Sequence, residues 1–255
     1  MKNAKLLIIV VIFWALCLFS GCQSLDRTKK QIDLPEKIVI FTFDDGPNPV
    51  GDTTGRLLDV LGKYEIHGMF ALLGENVEFS PELVRRIKDE GHYIINHGYA
   101  DLWAVNLNPE NFTVNLKKCE TALSEVLEEP LNPKMYRPQG GFYKKQHEKI
   151  WREQGYVLVP GTARPRDAVL SARHEQRVIR NIIRNIEKQG GGIIMLHDGR
   201  DSHFKIAARL RKKPNGNFNR EWIPDTVEKV VLLLQEKGYV LNGFDVLDVL
   251  NIGHL

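Results

Sequence analysis

Cysteine is scarce in this 255-residue chain, with only three, and so is charge of one sign, the formal net charge being +3. Cys17 falls inside an N-terminal apolar run and Cys22 directly after it. Cys119 is left alone in a helical segment, which excludes a disulfide within one chain and suits a small core residue better than a nucleophile. The near balance of charge gives no reason to expect nucleic acid or an acidic partner, and nothing implies a protein partner. Internal repeats, low-complexity segments and a Gly-rich phosphate loop are all missing, as is an apolar run of the about 20 residues that span a bilayer.

What is present begins with a targeting segment. Lys2 and Lys5 precede the apolar run Leu6–Phe19, and Phe19-Ser20-Gly21-Cys22 places small residues before a cysteine. This reads as a secretory signal and is similar to a bacterial lipoprotein signal. That likeness implies cleavage after residue 21, lipid on Cys22, and an exported, membrane-anchored location in the cell envelope. An uncleaved membrane anchor is the alternative. Residues 22–36 are polar and read as a tether. Residues 37–255 are enough for one well-buried α/β domain.

Along that domain short apolar runs alternate with helical patterns. Strands are expected at Ile38–Phe43, Gly68–Leu73, Tyr93–Asn96, Met135–Tyr136, Tyr156–Val159, Gly192–His197 and Tyr239–Leu241. Helices are expected near 53–63, 81–90, 109–127, 144–154, 173–189 and 225–237, with Ser80-Pro81 and Pro224-Asp225 as starts. Alternation at this spacing predicts a parallel sheet, and without a phosphate loop a (β/α) barrel of about seven strands is favoured over a nucleotide fold.

The polar residues that end these strands form the candidate site, because chemistry in such folds sits at strand C-termini. Thr42-Phe43-Asp44-Asp45-Gly46-Pro47 puts two adjacent carboxylates at a break. Like charges so close need a cation or donors to ionise together. His97 and Asp101 are four apart and share a face if the chain turns helically there; with Asp45 they make a possible three-ligand site for a divalent ion. An interior histidine and a helix-capping aspartate are the plainer reading, and His92 reads as structural. Arg137 in Tyr136-Arg137-Pro138-Gln139-Gly140-Gly141 could hold a carboxylate ionised, and the glycines allow backbone N–H groups to approach an oxyanion. Arg166-Asp167 is weak alone. His197, ending the apolar run Ile193–Leu196, is a candidate general acid.

The order of these motifs resembles the polysaccharide deacetylases of the NodB-homology type, carbohydrate esterase family 4, over about residues 37–250. The resemblance implies a distorted (β/α) barrel and a hydrolase that removes N-acetyl, or O-acetyl, groups from an envelope or extracellular polysaccharide. It implies a divalent metal, zinc first with cobalt, manganese or nickel as alternatives, on Asp45, His97 and Asp101. It further implies Asp44 as base, Arg137 as its partner, His197 as acid and Asp167 as partner of His197. Gly140 would donate to the oxyanion and Leu196 would line the acetyl pocket. Three positions depart from the family pattern: Asp101 stands for a histidine, Gly140 for an aromatic residue and Ala168 for a tryptophan. A catalytically impaired, glycan-binding lipoprotein with a degenerate metal site is the competing reading. Residues 199–222, rich in cations and carrying Phe204, Phe218 and Trp222, are expected either as a glycan-contacting flap or as a solvated loop.

Overall fold

The computed structural model describes residues 22–24, 34–199 and 219–252. The expected signal peptide, most of the tether and residues 200–218 of the expected flap lie outside the described residues.

The strands are β1 Cys22–Ser24, β2 Val39–Gly46, β3 Met69–Leu72, β4 Tyr93–Asn96, β5 Met135–Tyr136, β6 Phe142–Lys144, β7 Val157–Leu158 and β8 Gly192–His197. Six of them form one sheet in the order β7-β5-β4-β3-β2-β8, and every pair in it is parallel. The backbone beyond β7 then returns to β8: the amides of Thr162 and Ala163 donate to Ile193 O, and Met195 N donates to Ala163 O. This contact closes the curled sheet into a distorted barrel. β1, at the head of the expected tether, pairs antiparallel with β6 outside that sheet.

Parallel strands covered on both faces are apolar on both, and side chains alternate inward and outward. Ile40, Met69, Ala71, Ile95, Met135, Val159 and Ile193 fill the interior. Phe41, Phe43, Phe70, Leu72, Ile94, Ile194 and Leu196 belong to the other cluster, shared with the helices. Those helices are α1 Thr53–Lys63, α2 Gly74–Phe79, α3 Pro81–Asp89, α4 Pro109–Leu127, α5 Lys145–Glu153, α6 Glu175–Gln189 and α7 Ile223–Glu236. A last short helix, α8 Val246–Val249, and the residues after it place Val246, Leu250 and Ile252 against the interior cluster. No described helix is long and apolar enough to cross a membrane. Cys119 is fully buried, and burial pushes its thiol up to about 12, as befits a core residue. The expected strand at Tyr239–Leu241 is reduced to a single bridge between Val240 and Ile38, because the chain leaves that edge for a turn at once.

Candidate active site

The site lies at the C-terminal ends of the strands, in a cavity of about 460 Å³ whose lining includes Asp44, Asp45, His97, Asp101, Asp167 and His197. In a regular strand Asp44 and Asp45 would point to opposite faces. Here the register slips between Asp44 and Gly46, and Asp45 takes a left-handed φ of 69°. The slip re-aims its carboxylate so that both face the cavity. A non-glycine residue in that region costs on the order of 1 kcal/mol. Asn76 Nδ2 fixes the distorted backbone by donating to Asp45 O at 2.9 Å. Gly199 crosses so near Asp45 O that a Cβ there would collide with it.

Arg137 is wholly buried. Its Nη1 donates to Asp44 Oδ1 at 2.5 Å and to Thr42 Oγ1 at 2.8 Å. Nε and Nη2 donate to Val159 O and Pro160 O at 3.1 and 3.0 Å. The charge-assisted donor from Arg137 gives the buried Asp44 carboxyl a strong hydrogen-bond partner. The Arg137 carbonyl serves a second residue, accepting from His97 Nδ1 at 2.8 Å. A carbonyl can only accept, so Nδ1 carries hydrogen and Nε2 is the nitrogen that faces Asp45 Oδ1, at 3.3 Å.

That geometry tests the metal expectation. A neutral imidazole with hydrogen on Nδ1 presents a lone pair at Nε2, as metal-ligating histidines do. A lone pair facing a carboxylate oxygen demands a positive charge between them. Burial opposes charge on either group, yet the Asp45 contact and the charges of Asp44 and Asp45 raise His97, while His97 and His197 lower Asp45. Asp45 and His97 therefore fit a divalent ion. Asp101 does not complete the set as expected. Residues 97–103 form a loop, not a helical turn, because Gly98 enters the left-handed region at φ 83°, so the spacing of four does not put His97 and Asp101 on one helix face. Asp101 lines the same cavity, but among the described residues no three His, Cys, Asp or Glu side chains stand close enough to enclose an ion.

Across the cavity, Asp44 and His197 are direct neighbours in register on β2 and β8. Asp167 Oδ2 accepts from the His197 amide at 2.8 Å, and both carboxylate oxygens lie 3.2 Å from His197 Nδ1. Burial presses the imidazole toward neutrality, but the charge and hydrogen bonding of Asp167, backed by Asp45 and Asp44, hold it up at about 9. Buried Asp167 is lowered in turn, chiefly by His197 and then by Arg220. Arg220 was expected in the flap; it is instead buried, with Nη1 and Nη2 donating to the carbonyls of Asp167 and Ala168 at 2.9 and 3.1 Å. Trp222 is likewise buried, its Nε1 donating to Asn219 O at 3.0 Å.

Two further expectations change. Leu196 does not line the pocket: it is fully buried among the outer-core residues, and strand alternation turns Met195 into the cavity in its place. Gly140 does line it, at φ 69°, but against the ring of Trp103, which sequence reading passed over. Asp198 is a second residue that the structure adds to the site's surroundings. Thr54 Oγ1 donates to its Oδ2 at 2.5 Å, its Oδ1 is buried with no hydrogen-bond partner, and burial raises it to about 7. Its position in Leu196-His197-Asp198 was the signal available. His92 is structural as expected: Nδ1 accepts from the Gly68 amide at 3.1 Å.

A closed parallel barrel with paired carboxylates and histidines at its strand ends defines a hydrolase-type site of the α/β class. The sequence profile of the polysaccharide deacetylases matches residues 31–159, and the chain belongs to this family. It is 32% identical over 179 residues to a peptidoglycan-N-acetylglucosamine deacetylase of Bacillus cereus, covering 69% of this chain and 80% of that one. A crystal structure of a peptidoglycan N-acetylglucosamine deacetylase in complex with 4-naphthalen-1-yl-N-oxidanyl-benzamide superimposes with a TM-score of 0.68 at 26% identity, over 86% of this chain and 92% of that one. A carbohydrate esterase family 4 pseudoenzyme from Bacillus anthracis has the same fold, with a TM-score of 0.65 at 16% identity over 85% of this chain and 66% of that one. The fold is thus common to active and inactive proteins, and the site residues must decide between them.

Proposed function

We propose that this chain is a metal-dependent deacetylase that removes N-acetyl groups from a cell-envelope polysaccharide such as peptidoglycan, held at the membrane by lipid on Cys22. The observation that carries the reading is the register of Asp44 with His197, each with its own buried partner, beside the Asp45–His97 pair. Asp45 and His97 would hold the ion, which when bound supplies a Lewis acid for the acetyl carbonyl. Arg137 fixes Asp44 Oδ1, leaving Oδ2 to take a proton from the attacking water. The Gly140 N–H serves the developing oxyanion. His197, kept protonated by Asp167, gives its proton to the departing amine as the C–N bond breaks. An O-acetyl ester would be cleaved by the same groups.

The experiment is metal analysis of the purified protein together with acetate release from N-acetylglucosamine oligomers and from peptidoglycan, before and after chelation. Acetate release that chelation abolishes and a divalent ion restores supports the reading; no release with any divalent ion overturns it. A second reading, a glycan-binding protein without turnover, is favoured by one observation, the lack, among the described residues, of a third enclosing donor at Asp45 and His97. Polymer binding without acetate release would select it.

A further inference from the structure

Gly140 stands where the family pattern has an aromatic residue, and its surroundings explain the exchange. A Cβ built on Gly140 would lie 2.9 Å from Cγ and Cδ2 of Trp103, and φ is +69°. The indole therefore rests on the glycine itself, and no larger residue fits beneath it. Trp103 is 46% exposed, yet its ring lines the same cavity as Asp44 and His197. Its ring gives the wall of an otherwise polar cavity a flat apolar surface.

The platform is also rigid. Trp103 opens a short helical turn, Ala104–Asn106, whose Ala104 and Val105 are buried. Asn106 N donates to Trp103 O at 2.9 Å, and Leu107 N to Ala104 O at 3.1 Å. The two loops that bring Trp103 and Gly140 together are tied by Gln139 Nε2, which donates to Ala100 O at 3.1 Å. A fixed aromatic face loses little freedom when a ligand docks on it.

Resting on the deacetylase reading, we infer that Trp103 is the stacking platform for the sugar ring at or next to the reacting acetamide, restoring from another loop the aromatic wall that Gly140 lacks. Pyranose rings present an apolar C–H face, and an indole offers a large flat surface to bury it. Glycine at 140 is the condition for this: it lets the ring sit low enough to face the cavity.

The described tryptophans make the test specific, because Trp151 and Trp222 are 1% and 8% exposed. The full chain carrying Trp14→Phe and Asp44→Asn is titrated with the N-acetylglucosamine tetramer, and acrylamide quenching of tryptophan emission is followed. Protection of about twofold or more is expected. In the otherwise unaltered enzyme, Trp103→Ala should raise KM for the tetramer about tenfold with kcat changed far less, and Trp103→Phe should recover most of the loss. Gly140→Ala should raise KM similarly, and adding Trp103→Ala to it should cost little more. Should Trp103→Ala not fold, Trp103→Leu against Trp103→Phe makes the same comparison. A parent that releases acetate from the tetramer while Trp103 stays equally quenchable, or while Trp103→Ala keeps its KM, overturns the platform alone. A parent that releases no acetate from tetramer or peptidoglycan overturns the deacetylase reading and the platform with it.

Discussion

Asp44 and His197 sit side by side on neighbouring strands, and each is committed to a different buried partner, Arg137 or Asp167. Asp167 holds the His197 imidazole protonated, and Arg137 fixes one oxygen of Asp44; in the proposed reaction these two are the acid and the base. Asp44→Asn and His197→Ala should each lower acetate release by about 10²-fold or more, measured as initial rates, with metal content unchanged in His197→Ala. The pH profile carries the sign. His197 loses its proton only near pH 9, so activity should hold to that region and then fall. Asp167→Asn should bring the alkaline limb down by about one unit or more. Stability follows the same linkage. A histidine raised from 6.5 to about 9 adds stability that is fully present below pH 6.5 and is lost as pH climbs to about 9. Urea unfolding of parent and Asp167→Asn across that window should show the difference shrinking.

At the scale of elements, Asp198 joins the end of β8 to the start of α1 through Thr54, and its carbonyl accepts from Asn48 Nδ2 at 2.9 Å. Its carboxyl is shifted in the same direction as His197, over a lower pH window. Raised from 3.8 to about 7, it stays protonated in the fold while the unfolded chain has already released its proton. The folded state then binds more protons between those values, so this group's contribution falls as pH rises from about 4 to 7. Asp198→Asn should flatten that part of the stability curve, read from urea midpoints at successive pH values. Elements also show how far sequence reading reaches. Apolar runs ending in polar residues located the strand ends, and the structure brings Asp44, Asp45, His97, Asp101, Gly140, Asp167 and His197 to one cavity. Register and facing were not legible. Leu196 and Met195 are both apolar in a strand covered on both sides, so composition could not say which one turns inward. The loop at 97–103 hid Asp101's true relation to His97, since one glycine's φ decided it. Arg220 looked like a solvated cation until the Asp167 and Ala168 carbonyls were seen to receive it.

In the molecule as a whole, Arg137 is a polar brace at the top of an otherwise apolar interior, linking β5, β2 and the backbone that follows β7. Removing it strands a buried carboxylate and leaves two carbonyls without their donor. Arg137→Met should cost about 3–5 kcal/mol in urea unfolding, and Asp44→Asn made in that background should recover part of the loss because no buried charge is then left unpaired.

The pairing of β2 with β8 joins residues far apart in the chain; Thr42 Oγ1, for instance, donates to Ile194 O across 152 positions. Contacts of such separation form slowly. β2, which carries Asp44 and Asp45, is made early and then waits for its second neighbour until most of the polypeptide exists. A chain emerging from its amino end thus carries an exposed apolar strand edge through most of its synthesis, the condition under which unpaired edges invite association with other chains. Asp44 and His197 come together only in the same event that seals the edge, so a chain lacking its final quarter has neither the pair nor a covered edge.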